Sequence, residues 1–347
     1  MVTDVAIVGA GPAGSALAIE LGRQGLGVTL YERSRGPCLK ACGEGLLPHG
    51  VAALHDIAGL PDVPRVRGLR FVAGGVSVEA DFQEGFGLIV RRDRFDDWLR
   101  DKAGATPNVD LRMGTPYRPN GERVVVGADG KRSMFHRRLS ARPSTPRRVG
   151  LSTHVGGMQG LGSRVEVFFH ADGELYLAPT GGGEALVSAL FYQSAFRRDG
   201  ITHLLNAIPE LRARASHIEQ TTPLLACAPL GLRVARLILD EGLLLIGDAA
   251  GAPDPITGDG IAMAIVSAKP AAKAIISRDF RAYEQTRLQM GRTADRLGRL
   301  LLGIPRADGR AARVLLRRRA LVPTLLDVAV GRRALNAATM LRAVCSG

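Results

Sequence analysis

Short apolar runs and amphipathic stretches alternate from the start of the chain. Residues Asp4–Val8 and Val28–Tyr31 are mainly apolar, which predicts two buried strands, and Ser15–Arg23 between them has the spacing of a helix. A strand, a helix and a second strand in this order predict a βαβ unit.

The same patterns continue along the chain. Strands are predicted at Val66–Val72, Val76–Phe82, Leu88–Val90, Val109–Met113, Arg123–Val126, Val165–Phe169, Glu174–Leu177, Ala185–Phe191 and Gly242–Ile246. Helices are predicted at Leu46–Leu54, around Phe95–Ala103, at Ile201–Ala213 and at Ile261–Ile276. Glycine clusters separate the strands between 165 and 191, and the run Gly181–Gly183 predicts a hairpin turn of an antiparallel sheet.

Three glycines at fixed spacing join the first strand to the first helix. The segment Gly9-Ala10-Gly11-Pro12-Ala13-Gly14 reads G-x-G-x-x-G, and Glu32 follows the second strand. Such glycines permit a tight turn, close approach to a pyrophosphate and close helix–strand packing, while the acid binds a ribose hydroxyl. The helix N-terminus attracts the diphosphate. We therefore predict a dinucleotide site here; the alternative is a purely structural turn.

Two glycine–aspartate pairs follow later predicted strands. Asp129-Gly130 comes after Arg123–Val126, and Gly247-Asp248 comes after Gly242–Ile246. Ligands of open α/β sheets bind at the carboxyl ends of strands, so both pairs can share one crevice with the glycine loop. The turn Gly258-Asp259-Gly260 then opens a helix whose N-terminus would stabilise negative charge on a bound ring.

In combination, these motifs resemble the para-hydroxybenzoate hydroxylase-type family of FAD-dependent oxidoreductases. The family's three fingerprints correspond to Gly9–Gly14 with Glu32, to the segment Ala128–Ser133 and to Gly247–Ala250. The sequence departs from the family at His136, where an arginine is common; Arg137 is the candidate substitute. The resemblance extends to residue 290 and implies FAD as cofactor. The FAD-binding residues that it implies are Gly9, Gly11, Ala13, Gly14, Glu32, Arg33, Cys42, Gly43, Arg92, Asp129, Gly130, Asp248, Gly258, Gly260 and Ile261.

Two further segments resemble the geranylgeranyl reductase-like branch of this family. Asp254–Ile261 is similar to its D-P-[LI]-[ST]-G-[ED]-G-I turn, and Lys40–Leu46 to its K-x-C-G-x-G-L segment. Halogenases carry W-x-W-x-I-P instead, whereas Trp98 is the only tryptophan here. The branch implies reduction of a carbon–carbon double bond in a hydrophobic, isoprenoid-like or polyketide-like substrate, with hydride delivered from flavin N5.

Candidate catalytic residues lie in the segment that the resemblance places near the flavin. Cys42 and Glu44 are candidate proton donors, and the alternative for Cys42, which is favoured over catalysis, is a small residue buried in a glycine-rich turn. His154 and His170 fall on the predicted antiparallel sheet, where structural hydrogen bonding is the alternative to a place in the pocket. Because no second strand–G-x-G-x-x-G–helix unit exists, NAD(P)H or another reductant would act as a transient donor without its own Rossmann domain.

These patterns predict an interleaved α/β protein. Residues 1–64, 86–148 and 228–290 would form a doubly wound, Rossmann-like FAD-binding domain, and 65–85 and 149–227 an antiparallel-sheet substrate domain. Residues 291–347 would form a basic helical section. An NAD(P)H- and oxygen-dependent monooxygenase acting on an aromatic substrate is the rival function, and a non-catalytic dinucleotide-binding scaffold is a second rival.

Composition and charge bear on partners and location. Most of the net charge of +13 comes from residues 291–347, where twelve arginines and three aspartates give +9. Leucines interleaved with these arginines predict amphipathic helices that either pack on the body of the protein or lie on lipid headgroups. No nucleic-acid motif or aromatic platform accompanies the charge, so we expect no nucleic-acid partner.

Targeting and metal signals are absent from the patterns. No run of eighteen uninterrupted apolar residues occurs and the first strand starts at once, so we expect neither a transmembrane helix nor a secretory signal. The expected location is cytoplasmic, with peripheral contact to the inner face of the membrane as the alternative. The four cysteines indicate neither a disulfide framework nor a zinc site, and no metal is expected.

Overall fold

The computed structural model describes residues 4–37, 39–138, 141–144, 147–240, 242–303, 310–318 and 320–345. The strands are β1 (Val5–Val8), β2 (Val28–Tyr31), β3 (Gly45–Leu46), β4 (Arg65–Val66), β5 (Gly68–Ala73), β6 (Val76–Asp81), β7 (Gly87–Ile89), β8 (Val109–Arg112), β9 (Val124–Gly127), β10 (Arg142–Pro143), β11 (Arg148–Gly156), β12 (Arg164–Phe169), β13 (Glu174–Gly181), β14 (Glu184–Tyr192), β15 (Glu219–Gln220), β16 (Leu225–Cys227), β17 (Leu232–Arg233), β18 (Ile238–Asp240) and β19 (Leu243–Leu245). The helices are α1 (Pro12–Arg23), α2 (Pro48–Ala58), α3 (Arg92–Gly104), α4 (Gly200–Ala207), α5 (Pro209–Arg212), α6 (Gly260–Val266), α7 (Ala268–Ser277), α8 (Phe280–Leu302), α9 (Arg310–Leu316), α10 (Leu321–Ala329) and α11 (Ala337–Cys345).

A six-stranded sheet, ordered β18–β19–β9–β1–β2–β8, forms the first half of the fold. All neighbouring strands except the β18–β19 pair are parallel. Every residue of β1 and β2 is buried, as expected for parallel strands that are covered on both faces. Helices α1, α2, α3, α6 and α7 pack on one face, and a smaller cluster that includes Tyr117, Phe135 and Leu237 covers the other.

An eight-stranded sheet forms the second half. Its order is β15–β11–β14–β13–β12–β5–β6, with β16 also paired to β11. All pairs are antiparallel except β12 with β5, because β5 and β6 reach this sheet from an earlier part of the chain. Helices α4 and α5 cover one of its faces. The predicted α/β class, with a Rossmann-like sheet, an antiparallel second sheet and a helical C-terminal section, is confirmed.

Three predicted helices differ from the observed ones for local reasons. The helix predicted at Ile201–Ala213 is two helices, because Ile208 is extended before Pro209. The one predicted at Leu46–Leu54 begins later, at Pro48, because Gly45–Leu46 pairs as a strand with β7. The one predicted at Ile261–Ile276 is interrupted at Ser267, whose hydroxyl donates a hydrogen bond to the Ala264 carbonyl.

The stretch Gly260–Ser277 is apolar enough, with a mean hydropathy of 1.3 over 18 residues, to pass a length-and-composition test for a membrane span. The sequence-based expectation, which counted only uninterrupted apolar runs, did not single it out. It consists of α6 and α7, and 61% of it is buried inside the protein, where it packs with α1 in the core of the first half. This burial is typical of a core helix, so the stretch is weak evidence for a membrane span.

The C-terminal helices turn their apolar side chains toward the second sheet. Leu316 of α9 and Val322 and Leu326 of α10 are buried in one cluster with Ala73 of β5 and Ala80 of β6. The predicted amphipathic pattern is therefore used, at least on these faces, for packing on the body of the protein. Arg317 and Arg318 after α9 and Arg332 and Arg333 after α10 are exposed.

Candidate active site

Four parallel strands end at one level of the first sheet. Val8 is paired with Tyr31 and Gly127, and Gly127 with Leu245. The segments that follow these strands are the glycine loop, Glu32, Asp129-Gly130 and Gly247-Asp248, so the structure brings all of them to one edge. The crevice at the carboxyl ends of such strands is where α/β sheets bind ligands.

Close packing in the glycine loop requires residues without a side chain. A Cβ on Gly14 would collide with the carbonyl oxygen of Gly9, and one on Gly9, at φ +105°, would lie 2.6 Å from the carbonyl oxygen of Ala128. A Cβ on Gly247 would lie 2.7 Å from that of Ala13. Through these contacts the glycine loop packs closely against the Ala128-Asp129 and Gly247-Asp248 segments. Gly11 is different, because only the Lys40 ammonium, at 3.7 Å, lies near its Cβ direction.

Three carboxylates surround this loop. Glu32 accepts hydrogen bonds from the backbone N–H of Ala10 at 3.1 Å and of Ser34 at 2.9 Å. Asp129 Oδ2 accepts one from Met134 N at 2.8 Å, whereas its buried Oδ1 has no partner among the described residues. An unpartnered buried oxygen costs about 1–3 kcal/mol, so this atom favours a ligand that can donate a hydrogen bond.

The remaining sequence-predicted positions differ in their surroundings. Asp248 is half-buried, and its carboxylate makes no hydrogen bond in the described part of the chain. Arg33 is exposed next to Glu32. Arg137, the candidate substitute for the family's arginine, is exposed, and His136 bonds the Ala249 carbonyl through Nε2 at 2.8 Å.

The turn before α6 leaves open space at its glycines. A Cβ on Gly258 or Gly260 would meet nothing within 4 Å, and the same holds for Gly130 in the segment after β9. Ile261, by contrast, is buried in the core. Asp259 does not cap α6; its Oδ1 instead pairs with His49 Nε2 of α2 at 2.9 Å. The first backbone N–H groups of α6 therefore remain available to a ligand.

Arg92, Asp96 and Lys40 form a charged cluster beside the glycine loop. The Arg92 guanidinium donates two 2.8 Å hydrogen bonds to Asp96, and Lys40 Nζ lies 3.3 Å from Asp96 Oδ2. Burial raises the pKa of Asp96, but Arg92 and Lys40 outweigh burial and hold that pKa below its ordinary value. Burial lowers the pKa of Arg92, and Asp96 with Cys42 raises it above its ordinary value. Lys40 is thus an ammonium positioned over Gly11, where a diphosphate would approach.

The segment around Cys42 is held by the second sheet. Cys42 N donates to Ser152 Oγ at 3.3 Å, and Glu44 N donates to Cys42 Sγ at 3.3 Å. Glu44 is buried, with Oε1 accepting from Arg92 N and Oε2 bonded to His154 Nε2, both at 2.9 Å. Both Glu44 oxygens therefore hold the Cys42–Glu44 loop in place. Gly43, which lies between Cys42 and Glu44, is exposed, with open space in its Cβ direction.

A buried ion cluster holds the other side of the crevice. Arg148 of β11, fully buried, donates to Asp254 Oδ1 at 2.6 Å and to Glu174 of β13. Asp254 Oδ1 also accepts from Ile256 N at 3.0 Å, and the Tyr176 hydroxyl donates to the Ile256 carbonyl at 3.3 Å. Burial lowers the pKa of Arg148, and the carboxylates of Glu174 and Asp254 more than offset this. The turn before α6 is thus fixed by the second sheet.

Helix α8 supports the Gly247-Asp248 segment from behind. The Tyr283 hydroxyl donates to the Leu245 carbonyl at 2.8 Å, and Arg287 Nη2 donates to the carbonyls of Gly247 at 3.2 Å and Gly251 at 2.8 Å. Both side chains are buried. Burial raises the pKa of the Tyr283 hydroxyl, which therefore stays protonated as a donor.

An apolar cavity adjoins the turn before α6. It encloses about 1090 Å³ of empty space, part of it open to solvent. Its floor is the second sheet, including Phe71, Val167 and Phe169; its wall is the turn Ile256–Gly258; and its roof comes from α8, α9 and α10. His170 and Tyr176 are its polar lining residues apart from Thr257. His154 lies elsewhere, in the hydrogen-bonded pair with Glu44.

The residues at the crevice fit FAD. The close-packed glycine loop, the available N–H groups of α6, the unpartnered Asp129 oxygen and the unpartnered Asp248 carboxylate suit a dinucleotide with a ring system. Sequence reasoning assigned no role to Lys40, although this lysine opens the K-x-C-G-x-G-L segment, and it missed Arg148 and Arg287. The two arginines belong to no fingerprint and lie on elements distant in sequence from their partners.

Comparison with known proteins gives consistent results. Residues 2–62 match the family model described as FAD binding domain. The chain is 30% identical over 367 residues to a menaquinone reductase of Mycobacterium tuberculosis, covering 87% of this chain and 85% of the relative. It is 27% identical to a digeranylgeranylglycerophospholipid reductase of Methanoculleus marisnigri, covering 78% and 75%. A flavin-dependent brominase structure matches 99% of this chain and 98% of its own, with a TM-score of 0.82 and 22% identity.

Proposed function

We propose that this protein reduces a carbon–carbon double bond of an isoprenoid substrate. The protein belongs to the FAD-dependent oxidoreductases of the para-hydroxybenzoate hydroxylase type and to their geranylgeranyl reductase-like branch. Enzymatic oxidoreduction with FAD follows from the family. The type of reaction and the substrate are the proposal. The observation that carries it is the apolar cavity beside the turn before α6.

The cavity suits an isoprenoid substrate by its lining. Most of the residues around it are leucine, valine, isoleucine or phenylalanine, and His170 is the one histidine among the described lining residues. An isoprenoid chain gains free energy by leaving water for such a surface, at about 25 cal/mol for each Å² buried. Two relatives, a menaquinone reductase and a digeranylgeranylglycerophospholipid reductase, carry names of isoprenoid compounds.

In this mechanism the chain's own residues bind, orient and protonate. Reduced FAD supplies the hydride for the double bond. Glu32, Asp129 and Asp248 would hold the cofactor's hydroxyl groups, and Lys40 its diphosphate. The apolar walls exclude water from the reacting carbons.

A proton must follow the hydride to the second carbon, and we assign it to the Cys42 thiol. Cys42 is half-buried, and its Sγ lies close enough to the Arg92 guanidinium for the two to interact. The guanidinium is thus the cation beside the sulfur from which the proton would leave. Glu44 is the alternative donor, but both of its oxygens are engaged, which favours a positioning role.

The test is a comparison of turnover with and without oxygen. The FAD-loaded protein would be incubated with menaquinone or geranylgeranyl diphosphate and with NADPH, NADH or dithionite, under argon and in air, and products analysed by mass spectrometry. We expect a mass gain of one hydrogen pair under argon that remains after the products are oxidised in air, because dithionite alone converts the quinone ring to a quinol and air reverses that change. A product that gains oxygen and forms only in air would contradict the reductase and support a monooxygenase. A protein that binds FAD but transforms neither substrate with any of the reductants would contradict this substrate class.

The thiol assignment has its own test. Cys42→Ala is expected to keep the FAD spectrum and flavin reduction by dithionite, and to slow reoxidation of the reduced protein by substrate. Cys227→Ala, which removes the other described free cysteine, is the matched control. Equal reoxidation rates in both variants would remove Cys42 from the mechanism.

A further inference from the structure

The described part of the C-terminal section exposes charge of one sign. Among the described side chains from residue 288 to residue 343, the exposed charged ones are all arginines: Arg292, Arg296, Arg299, Arg317, Arg318, Arg332, Arg333 and Arg342. Two of them are paired with carboxylates, since Arg332 Nη1 lies 2.5 Å from Glu84 Oε1 and both Arg332 and Arg333 lie beside Asp327. Asp295 is half-buried, and buried Asp327 lies 3.0 Å from Arg333 Nε and 3.8 Å from Arg332 Nε.

Large apolar side chains are exposed among these arginines. Leu288 and Leu300 of α8, Val314 of α9 and Leu341 of α11 are 38%, 39%, 58% and 66% exposed. Single exposed apolar residues are normal on a protein surface. Four of them in a section whose exposed charges are all positive match the composition of helices that lie in the interface of an anionic bilayer.

The same helices roof the apolar cavity. Leu297 and Leu301 of α8 face the cavity, whereas Leu300 between them is turned outward. Likewise, Leu315 and Leu316 of α9 line the cavity, and Val314 is exposed. The outer surface of the roof is therefore the surface that carries the arginines. A molecule that crosses the roof passes from that surface into the cavity.

We propose that α8, α9 and α11 dock this protein on an anionic lipid surface. If the substrate is the isoprenoid of the proposed function, a molecule dissolved in the membrane would then enter the cavity through the roof formed by α8, α9 and α10. Charge complementarity favours an anionic partner, and the exposed leucines and valine favour a bilayer over a nucleic acid. The section from residue 288 onward contains no aromatic residue on which a base could stack.

Vesicle binding by the FAD-loaded protein tests the docking surface without reference to activity. Arg292→Glu/Arg296→Glu reverses two exposed charges of α8, and Arg118→Glu/Arg198→Glu makes the same charge change at exposed positions outside the section. With phosphatidylglycerol–phosphatidylcholine vesicles we expect the first variant to bind about 30-fold more weakly or worse, since each arginine near a charged surface contributes roughly fivefold. The control should lose less than about threefold.

Apolar insertion has a separate variant. Val314→Ser/Leu341→Ser leaves the charge unchanged, and we expect it to weaken vesicle binding at high salt, where the charge contribution is screened. Equal sedimentation of the two double-arginine variants, equal binding to pure phosphatidylcholine vesicles, or tighter binding to single-stranded oligonucleotide than to vesicles at the same salt would overturn the proposal. An unchanged flavin absorption spectrum identifies variants that remain folded.

A second measurement separates this proposal from the proposed function. Turnover of menaquinone in anionic vesicles should fall in Arg292→Glu/Arg296→Glu, while turnover of detergent-solubilised menaquinone should not. If the wild-type protein turns over neither form yet binds anionic vesicles, the substrate proposal fails and the docking surface stands. If vesicle-borne turnover is unaffected by the substitutions, docking on this surface does not supply the substrate and that step is overturned.

Discussion

The crevice at the carboxyl edge of the first sheet and the cavity under the C-terminal helices lie side by side, and they are built differently. At the crevice, glycine backbones approach one another so closely that Gly9 and Gly14 cannot carry a side chain, and carboxylates stand at strand ends. Around the cavity, side chains from three helices and a sheet only need to be apolar and to leave space. The first region depends on residue identity at fixed positions, and the second on summed volume and hydrophobicity.

Substitution within the glycine loop should give the largest effect and would show how strictly the crevice depends on identity. Gly14→Val is expected to abolish FAD retention and to destabilise the fold by more than the ~1–3 kcal/mol typical of overpacking, because the obstacle is backbone. Gly11→Ala, whose Cβ would meet only the Lys40 ammonium, should keep the fold and lose FAD affinity. Urea unfolding and flavin absorbance measure both. Similar stability losses in the two variants would contradict the distinction.

The Arg148 cluster joins the two regions, and breaking it should have the next largest effect. Arg148→Met leaves Glu174 and Asp254 without their shared cation, which for buried pairs costs about 3–5 kcal/mol of unfolding free energy. Arg164→Met, on the same sheet but paired with the more exposed Glu79 and Asp81, should cost under about 1 kcal/mol. Chemical denaturation tests this, and equal losses would mean that burial of the cluster contributes nothing.

Narrowing the cavity should affect the substrate and leave the cofactor untouched. Ala329→Phe adds volume to the cavity lining, and we expect KM for the isoprenoid to rise by roughly 10- to 100-fold, the range that small changes in apolar pockets produce. The FAD dissociation constant should not change. Ala334→Phe, at an exposed position after α10, is the control. A loss of FAD with an unchanged KM would reverse the assignment of the two regions.

Removing one carboxylate from the crevice should have a smaller effect, and it should weaken FAD binding rather than substrate binding. Asp248→Asn is expected to raise the FAD dissociation constant about tenfold, the effect of weakening one hydrogen bond to a charged group, and to keep the fold. Asp110→Asn, exposed on β8 of the same sheet, should not alter FAD affinity. Titration of the apoprotein with FAD measures both constants. Identical constants for the two variants would exclude Asp248 from the site.

The smallest effect concerns acid stability at the crevice. The pKa of Asp96 is below its ordinary value in the folded protein. Its stabilising contribution is therefore fully present above the unfolded pKa of about 3.9 and is lost as pH falls through the lower folded value. Unfolding free energy should consequently decline less steeply below about pH 4 in Asp96→Asn than in the wild-type protein or in exposed Asp101→Asn. Parallel declines in all three proteins would show that Asp96 makes no such contribution.

The same difference between the regions explains what could be predicted from the sequence. The glycine loop, Glu32, Asp129 and Asp248 were recognisable because backbone geometry permits few residue types there, and they do meet at one edge. The cavity could not be predicted, because Leu297 or Leu315 looks like any other core leucine until the helices are placed. Arg148 was missed because its partner Asp254 is 106 residues away in the chain. The break at Ser267 escaped because helix propensity does not forbid serine there.

Strand β11 carries Arg148, Ser152 and His154, which contact the turn before α6 on one side and the segment Cys42–Glu44 on the other. All three have even numbers, so they project from the same face of an extended strand. Arg148 and His154 are six residues apart, which at about 3.3 Å per residue spans roughly 20 Å. The length of β11 between Arg148 and His154 thus sets the distance between the turn before α6 and the segment Cys42–Glu44, which lie on the two sides of the cofactor cleft. Insertion or deletion of a single residue between Arg148 and His154 would therefore change the spacing between the two walls.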